Sequence, residues 1–340
     1  MAVHTLRNST RASSQDIVEL LDFEYGIRPI RCSLPIPATV NIYFVKDPVP
    51  TLIDAPPEGM KYLEELDAGL RSAGYSIRDI KRVIITHPHF DHYGLSQTIS
   101  ERSGAEVWVF RGGAHWIEEC EKELQKEEVY RKGLLEKAGA TTPEIEDVTE
   151  YYREANCFAH GARASKYLRG GERFGLASLT FTVTHVPGHT PFCILLHDIS
   201  NSLAFTGDFL PPDITSMPLV QWTDIRSQHY RPTVEYLASL KKVREMDLRV
   251  ALPGHGQIIL EPSKKIDGLL RLIDERRKAV LAVLKKGSHT PVEIAREIFP
   301  CLPLEALFRA VSDVMDHLEM LEKEGFAERT DKHPFRFRSN

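Results

Sequence analysis

Short apolar stretches and amphipathic segments alternate along the first 110 residues of the chain. β-Branched and aromatic residues are concentrated in IRCSLPI, VNIYFV and TLIDA, which predict three strands between residues 27 and 55. Apolar residues at helical spacing then predict a helix over 58–74 that ends at Gly74. The next predicted elements are a strand over 80–87, a helix over 95–104 and a strand over 106–110. Strands that alternate with short helices favour a layered α/β fold.

The pattern changes between residues 114 and 169, where Glu, Lys and Tyr are frequent and no strand pattern is visible. This stretch predicts two or three exposed helices, which we interpret as an insertion over the scaffold rather than a separate domain. The elements predicted after it are strands over 177–186, 192–198, 202–208 and 248–256 and a helix over 232–246. We therefore expect the main domain to span residues 1–262.

Residues 263–340 lack this alternation and carry three helix patterns, followed by FAERTDKHPFRFRSN, which could form a short hairpin. Three helices and a hairpin suggest a small winged-helix-like module. The third helix, 304–325, holds six acidic residues against Arg309 and Lys323, whereas a helix that reads nucleic acid should be basic. An apolar stripe on the same helix indicates packing, so we interpret the tail as a docking or dimerisation element, with a homodimer left open.

The composition of the chain limits the partners and the cellular compartment that we expect. The formal net charge of −5 over 340 residues gives no electrostatic reason to expect a nucleic-acid partner. The five cysteines are scattered without a CxxC pair, which favours reduced thiols in the cytosol. No apolar run is long enough for a signal peptide or a spanning helix, so we expect a soluble, cytoplasmic protein without a membrane partner.

Side chains that bind metals stand at the ends of several predicted strands. The stretch IITHPHFDHYG sets three imidazoles and a carboxylate within six residues, and further His and Asp residues follow in VPGHT, FTGD and LPGHG. The candidate set is His87, His89, Asp91, His92, His189, Asp208 and His255. Five imidazoles and two carboxylates at one edge of a sheet suit two borderline divalent metal ions. Other isolated histidines, such as His317, are expected at the surface, whereas His185 and His197 lie on predicted strands and are expected to make local hydrogen bonds.

The motif HPHFDH, followed by separate His, Asp and His positions, resembles the HxHxDH signature of the metallo-β-lactamase-fold hydrolases over residues 27–260. The resemblance implies an αββα sandwich with a dinuclear metal site. The implied ligands are His87, His89 and His189 for one ion and Asp91, His92 and His255 for the other, with Asp208 bridging. Asp54 in TLIDA matches a strand-end Asp that supports the ligands, although Ala-Pro follows it where the family commonly has Thr-Gly.

A site of this kind implies hydrolysis. Two metal ions lower the pKa of a bridging water, and the resulting hydroxide attacks an electrophilic carbonyl or phosphorus. Asp91 is the candidate catalytic residue, because it can bind metal and also pass a proton to the leaving group. Zinc is the expected metal, since His89 and Asp91 are both present, while iron and manganese stay open.

Two regions beside the motif are candidates for substrate binding. The aromatic residues of the insertion either form an apolar pocket for an acyl chain or simply pack its helices together, and they are Tyr130, Tyr151, Tyr152 and Phe158. The loop that follows Asp208 adds further candidate contacts, which are Trp222, Arg226, His229 and Tyr230.

Three functions are open at this point. The first is hydrolysis of a small acyl substrate such as a thioester, ester or lactone, which the acidic chain and the aromatic insertion favour. The second is a metal-dependent endoribonuclease or phosphodiesterase, because the tail resembles that of the subgroup with β-lactamase-like protein 2, whose relatives include a ribonuclease. The third, a DNA-binding regulator, is opposed by the complete ligand set. The basic residues of the hairpin are Arg329, Lys332, Arg336 and Arg338.

Overall fold

The first sheet carries the strand ends on which the candidate site is predicted. The computed structural model describes residues 14–36, 38–211, 218, 221 and 230–340. In that part of the chain, six strands form this sheet in sequence order: β1 (Ile27–Ser33), β2 (Thr39–Val45), β3 (Thr51–Ile53), β4 (Arg82–Ile84), β5 (Glu106–Phe110) and β6 (Lys166–Leu168). The first three strands pair antiparallel, whereas β3 to β6 run parallel.

The second sheet lies later in the chain. Its strands within the described residues are β7 (Arg173–Leu176), β8 (Leu179–His185), β9 (Ile194–Asp198), β10 (Leu203–Gly207) and β11 (Val250–Pro253). They are arranged in the order β11-β10-β9-β8-β7, with β10 and β11 as the parallel pair. Every residue of β9 and β10 is buried, which is typical of central strands that are covered on both faces.

Helices cover the sheets. Those described are α1 (Ser14–Tyr25), α2 (Met60–Arg71), α3 (Phe90–Tyr93), α4 (Ser96–Ser103), α5 (Ala114–Glu118), α6 (Cys120–Ala138), α7 (Thr142–Asn156), α8 (Pro232–Arg244), α9 (Pro262–Leu284), α10 (Pro291–Ile298) and α11 (Leu307–Lys323). In α2 the buried residues Tyr62, Leu63, Leu66 and Leu70 recur every three or four positions, so one face meets the sheet. Among the described residues, no helix is both long and apolar enough to cross a membrane.

The two sheets face each other across an apolar layer. Tyr43 and Ile53 of the first sheet share one core cluster with Phe181 and Phe205 of the second. The rings of Tyr43 and Phe205 meet edge to face, with their centroids 5.3 Å apart. Further clusters join the first sheet to α2 and α4 and the second sheet to α8 and α9. The order helix, sheet, sheet, helix confirms the predicted αββα sandwich.

The region from residue 114 to 169 differs from its prediction in two ways. It contains α5, α6 and α7, but it also contains β6, which pairs with β5 and extends the first sheet. Only Leu168 of its three residues is buried, so no apolar run marks this strand in the sequence. The helices are also not simply exposed, because Leu135 and Ala138 of α6 are buried in one core cluster with residues of α10 and α11.

The C-terminal residues form α9, α10, α11 and a hairpin of β12 (Ala327–Lys332) and β13 (Phe335–Ser339). The apolar stripe of α11 is buried, whereas Leu304, just before this helix, is 37% exposed. The surface position predicted for His317 is wrong: its side chain is buried, with Nε2 3.6 Å from Asp313 Oδ1. Asp313 and Asp316 are buried too, so the acidic character of this helix is only partly at the surface.

The basic hairpin residues have acidic neighbours. Arg329 and Arg336 each lie 3.3 Å from a glutamate oxygen, of Glu322 and Glu293 respectively. Arg338 pairs with Glu328 across the hairpin. These ion pairs partly neutralise the patch that suits nucleic acid. The winged-helix interpretation, the boundary at residue 262 and the dimerisation role of the tail stay predictions.

Candidate metal centre

The predicted ligands lie on loops and turns that follow strands at one edge of the sandwich. His87 lies three residues beyond the end of β4, and the one-turn helix α3 begins after His89. The loop between β8 and β9 carries His189, Asp208 follows β10 directly, and His255 lies two residues beyond β11. Because these strands are neighbours within their sheets, residues far apart in sequence meet at this edge.

One group of three imidazoles combines two residues that follow β4 of the first sheet with one from the second sheet. His87 Nε2 is 3.1 Å from His89 Nδ1, and the same His89 atom is 3.0 Å from His189 Nε2. His87 is almost completely buried, while His89 and His189 are partly open to the solvent. These are the three residues that the motif assigns to one metal ion.

A second group combines Asp91, His92 and His255. His255 Nε2 lies 3.3 Å from both His92 Nε2 and Asp91 Oδ2. His92 Nε2 is 3.8 Å from the same Asp91 oxygen. The structure thus brings together the residues that the motif assigns to the other metal ion.

Asp208 lies between the two groups. Its Oδ2 is 3.6 Å from His189 Nε2 and 3.3 Å from His255 Nε2, so one oxygen reaches both. Its Oδ1 is 3.4 Å from His92 Nε2. This is the position expected of a bridging carboxylate.

Asp54 and Thr86 hold the imidazoles from behind. Asp54 Oδ2 is 2.8 Å from His92 Nδ1 and accepts a hydrogen bond of the same length from the Thr86 hydroxyl, whose oxygen is also 3.1 Å from His87 Nδ1. Asp54 has a φ of 66°, which is strained for a residue with a side chain and is the kind of backbone that functional sites retain. Asp54 therefore lies behind His92, where the sequence predicts a residue that supports the ligands. Thr86 was not predicted, although it stands directly before His87.

A close approach of backbone and ligands explains one glycine of the motif. A methyl group on Gly254 would lie 2.5 Å from His92 Cε1 and 2.6 Å from Asp208 Oδ1. Both distances are shorter than side chains tolerate, so LPGHG needs glycine for space here. On the next residue, His255 Nδ1 is 2.7 Å from the Thr39 carbonyl oxygen, a backbone contact that leaves no sequence signal.

Burial and neighbouring charges shift the pKa values of the imidazoles in opposite directions. Burial lowers the pKa of His87 well below its ordinary value and that of His89 to about 3, so both rings keep lone pairs for a metal. Burial also opposes a charge on His92, but Asp208, Asp91 and Asp54 outweigh it and raise the pKa to about 10. The carboxylates likewise overcome burial to raise the pKa of His255 to about 12. The field of the carboxylates therefore favours positive charge at this cluster.

The donor set fits divalent metal ions. The ligand atoms lie within 4.8 Å of one another in three groups: His87, His89 and His189; His87, His92 and Asp208; Asp91, His92 and His255. Imidazole nitrogen and carboxylate oxygen are the atoms that zinc and related ions prefer. Several imidazole nitrogens face each other at about hydrogen-bond distance, and a cation between them would satisfy their lone pairs.

A cavity of about 790 Å³ opens onto this cluster within the described residues. The cluster contributes His89, Asp91, His189, Asp208 and His255 to its wall. Apolar and aromatic side chains form much of the remainder, and they include Leu34, Ile36, Phe90, Trp116, Leu124, Tyr151, Tyr152, Phe158 and Phe308. A cavity of this size and lining is typical of sites for small ligands.

The structure separates the predicted substrate contacts. Tyr151, Tyr152 and Phe158 line the cavity at the cluster, whereas Tyr130 lines a second cavity of about 730 Å³. The wall of the second cavity comes from α6, α11 and the hairpin. The aromatic residues of the insertion are therefore not a single pocket.

The loop after Asp208 is only partly described. Tyr230 lines the second cavity rather than the first, and its hydroxyl donates to the Gly188 carbonyl at 2.8 Å, beside His189. This position differs from the substrate contact that the sequence suggested. Trp222, Arg226 and His229 lie outside the described residues.

Comparison with known proteins agrees with the geometry. The family model described as Metallo-beta-lactamase superfamily matches residues 36–255. The "Probable metallo-hydrolase YqjP" of Bacillus subtilis is 26% identical over 299 residues, which are 87% of this chain and 92% of that protein. The crystal structure of a metallo-beta-lactamase family protein from Thermus thermophilus has a TM-score of 0.79 at 24% identity, covers 93% of this chain and 99% of its own, and supports the fold.

Other relatives match about half of their own length. A beta-lactamase-like protein 2 homolog of Drosophila melanogaster is 24% identical over 46% of this chain and 51% of that protein. The "Acyl-coenzyme A thioesterase MBLAC2" of Gallus gallus is 26% identical over 51% of this chain and 55% of that protein. Since the family match spans more than half of the chain and includes every residue of the cluster, this protein belongs to the metallo-β-lactamase superfamily.

Proposed function

We propose that this protein is a dinuclear, zinc-dependent hydrolase that cleaves the thioester of an apolar acyl group. The observation that carries the proposal is the cavity of about 790 Å³ with aromatic walls that opens directly onto the cluster of His and Asp residues. An acyl chain in this cavity would bury apolar surface, and each buried methylene contributes roughly 0.8 kcal/mol to binding.

The chain's own residues have defined tasks in this proposal. His87, His89 and His189 would hold one ion, and Asp91, His92 and His255 the other, with Asp208 between them. Bound there, the ions would supply Lewis-acid activation of water and of the thioester carbonyl. The contact between Asp54 and His92 at 2.8 Å keeps the imidazole in a fixed orientation.

Asp91 is the proposed proton carrier. Its carboxylate lines the cavity and lies 3.3 Å from His255, which places it beside the cluster and the substrate at once. Burial opposes its charge, but His92 and His255 lower its pKa to about 2, so the group is an anion. In this proposal the carboxylate takes a proton from the attacking water and passes it to the leaving thiolate.

The relatives support this choice of substrate class. The match to an acyl-coenzyme A thioesterase includes a comparable share of both chains, although it is limited to about half of each. A fold of this kind hosts many chemistries, so the apolar lining of the cavity is the stronger argument. The ion pairs of the hairpin arginines argue against RNA as the substrate.

The test combines metal content with a panel of substrates. The protein, loaded with zinc and then desalted, should retain close to two ions per chain and should hydrolyse acyl thioesters faster as the acyl chain lengthens. Asp91→Asn should lower turnover by about a hundredfold or more, because general acid–base catalysis contributes that much. Asp331→Asn, at an exposed position of the hairpin, is the matched control and should leave turnover unchanged.

The panel also contains a lactone, a phosphodiester and an RNA oligonucleotide. Cleavage of RNA or the phosphodiester with no thioester turnover would overturn the proposal in favour of a nuclease. A protein that retains no zinc, as measured by elemental analysis, would overturn the dinuclear site itself.

A further inference from the structure

A buried arginine lines the same cavity as the metal cluster. Arg131 lies in α6 and is only 4% exposed, although arginine is rarely buried without a partner. Its Nε has no hydrogen-bond partner within the part of the chain that the structure describes. An N–H group that is removed from water without an acceptor destabilises the protein, so this arginine is a candidate for binding an anionic ligand.

Aromatic rings hold this guanidinium. Its central carbon lies 3.9 Å from the ring centroid of Tyr152 and 5.4 Å from that of Phe308. A ring over the face of a guanidinium fixes its plane and leaves the N–H groups at its edge available for a planar or tetrahedral oxyanion. The rings thus fix the plane of a guanidinium that belongs to the wall of the cavity.

The other charged groups of the cavity define where an anion can bind. Asp91 and Asp208 belong to the proposed metal ligands, and Glu154 is an exposed residue of α7. Glu127, one turn before Arg131 on α6, is buried and has an interaction of its own. Arg309 of α11 is a second cation on the wall, so α6 and α11 each contribute one guanidinium.

We propose that Arg131, assisted by Arg309, binds a compact oxyanion of the substrate, a carboxylate or a phosphate, while the thioester lies at the metal cluster. That the bound anion is part of a substrate rests on the proposed thioesterase function, whereas the anion site itself rests on the positions of the arginines. In this arrangement the substrate combines an apolar segment with an anionic group away from the bond that is cleaved. Arginine binds carboxylate and phosphate through two parallel hydrogen bonds, which a neutral analogue lacks.

The kinetic test compares matched thioesters on the zinc-loaded protein. One acyl chain is made with a neutral end and with a terminal carboxylate, each on pantetheine, and the neutral acyl chain is also made on phosphopantetheine. We expect KM to be at least about tenfold lower for one anionic substrate than for the neutral one, in keeping with a charge-assisted hydrogen bond. The anionic substrate with the lower KM shows whether the site prefers a carboxylate or a phosphate.

Variants connect this preference to the arginines. Arg131→Met should abolish the preference, Arg131→Lys should retain a part of it, and Arg309→Met at an exposed position should reduce it without risk to folding. Arg153→Met is the control, since Arg153 is an exposed residue of α7 that pairs with Glu128. Equal KM values for neutral and anionic substrates, or the same preference in all variants, would overturn the inference.

A binding measurement separates this inference from the proposed function. Calorimetry with the metal-free protein compares a long-chain dicarboxylate, the corresponding diol and phosphopantetheine, so no turnover is needed. Tight binding of one anion that Arg131→Met and Arg309→Met both weaken supports the site even if no thioester is cleaved. Thioester cleavage together with arginine-independent binding would retain the function and refute the anion site.

Discussion

Three imidazoles of the cluster have one ring nitrogen occupied and the other directed inward. The Nδ1 atoms of His87, His92 and His255 contact a hydroxyl, a carboxylate and a backbone carbonyl respectively. The Nε2 atoms of His92 and His255 lie 3.3 Å apart, and that of His87 lies 3.1 Å from His89 Nδ1. Such contacts fix both the tautomer and the orientation of a ligand before the metal arrives. The same residues are packed closely enough that a single added methyl group would disturb them.

Gly254→Ala tests this packing at the scale of one residue. The new methyl group would displace His92 or Asp208, so we expect the affinity for zinc to fall about tenfold to a hundredfold. Competition with a chromophoric chelator measures that affinity. Gly133→Ala in α6, where a methyl group meets nothing within 4 Å, is the matched control and should leave zinc affinity unchanged. Equal affinities in both variants would contradict the steric role of Gly254.

At the scale of elements, α11 connects to α8 through a buried carboxylate. Asp316 of α11 is 2% exposed and accepts a hydrogen bond from the backbone N–H of Thr233, in the first turn of α8. The first N–H groups of a helix have no partner inside the helix, so this carboxylate caps α8 from a distant element. Burial, with Glu319 and Asp313 nearby, raises the pKa of Asp316 to about 6 despite that hydrogen bond.

The raised pKa predicts how stability depends on pH. Because the folded protein holds this proton more tightly than the unfolded chain does, the stabilisation is complete below about pH 4 and is lost as pH rises through 6. Asp316→Asn keeps an acceptor for Thr233 without a charge. The melting temperature of the variant minus that of the wild type should therefore rise between pH 4.5 and 7.5, by the equivalent of roughly 2–3 kcal/mol.

Asp267→Asn provides the opposite control for that measurement. Asp267 lies at the surface beside Arg244, and its hydrogen bond to this arginine lowers its pKa. The melting temperature of Asp267→Asn minus that of the wild type should not rise between pH 4.5 and 7.5. A flat difference for Asp316→Asn over the same range would show that its carboxyl group is not protonated in the folded protein.

At the scale of the whole molecule, the insertion and the tail share one core. Leu135 and Val148 of the insertion lie in the same cluster as Val311 and Leu318 of α11. Both segments also contribute to the cavity at the metal cluster, through Tyr152 and Phe308, whose ring centroids are 5.7 Å apart. The tail is thus part of the wall that a substrate would contact.

Leu318→Ala tests that shared core. Leu318 is fully buried, so its truncation should lower the free energy of unfolding by about 2–5 kcal/mol, as measured by urea denaturation. It should also make α6 and α7 more sensitive to proteolysis, because they lose the surface on which they pack. Leu304→Ala at a partly exposed position is the control. Loss of stability without faster cleavage in α6 and α7 would mean that the two segments unfold independently.

The sequence alone determined the layered fold and the ligand positions. Four of the seven ligands lie within the six residues from His87 to His92, and the others follow apolar strands beside glycines, so local patterns were sufficient. Asp54 was identified through the resemblance to the family, not through a pattern of its own. The short strands β6 and β7 were missed because each contains only one buried residue, so neither forms an apolar run.

Tertiary structure decided what surrounds the ligands. Arg131, Tyr152 and Phe308 lie far apart in sequence and meet only where α6, α7 and α11 pack together. Tyr130, which the sequence grouped with Tyr152, belongs to a different cavity, because α6 directs Tyr130 to the second cavity and the adjacent Arg131 to the first. Local sequence patterns were enough to pick out the candidate metal ligands, but only the packing of the two sheets brings them together. The cavity beside them depends on long-range contacts that no single stretch of sequence encodes.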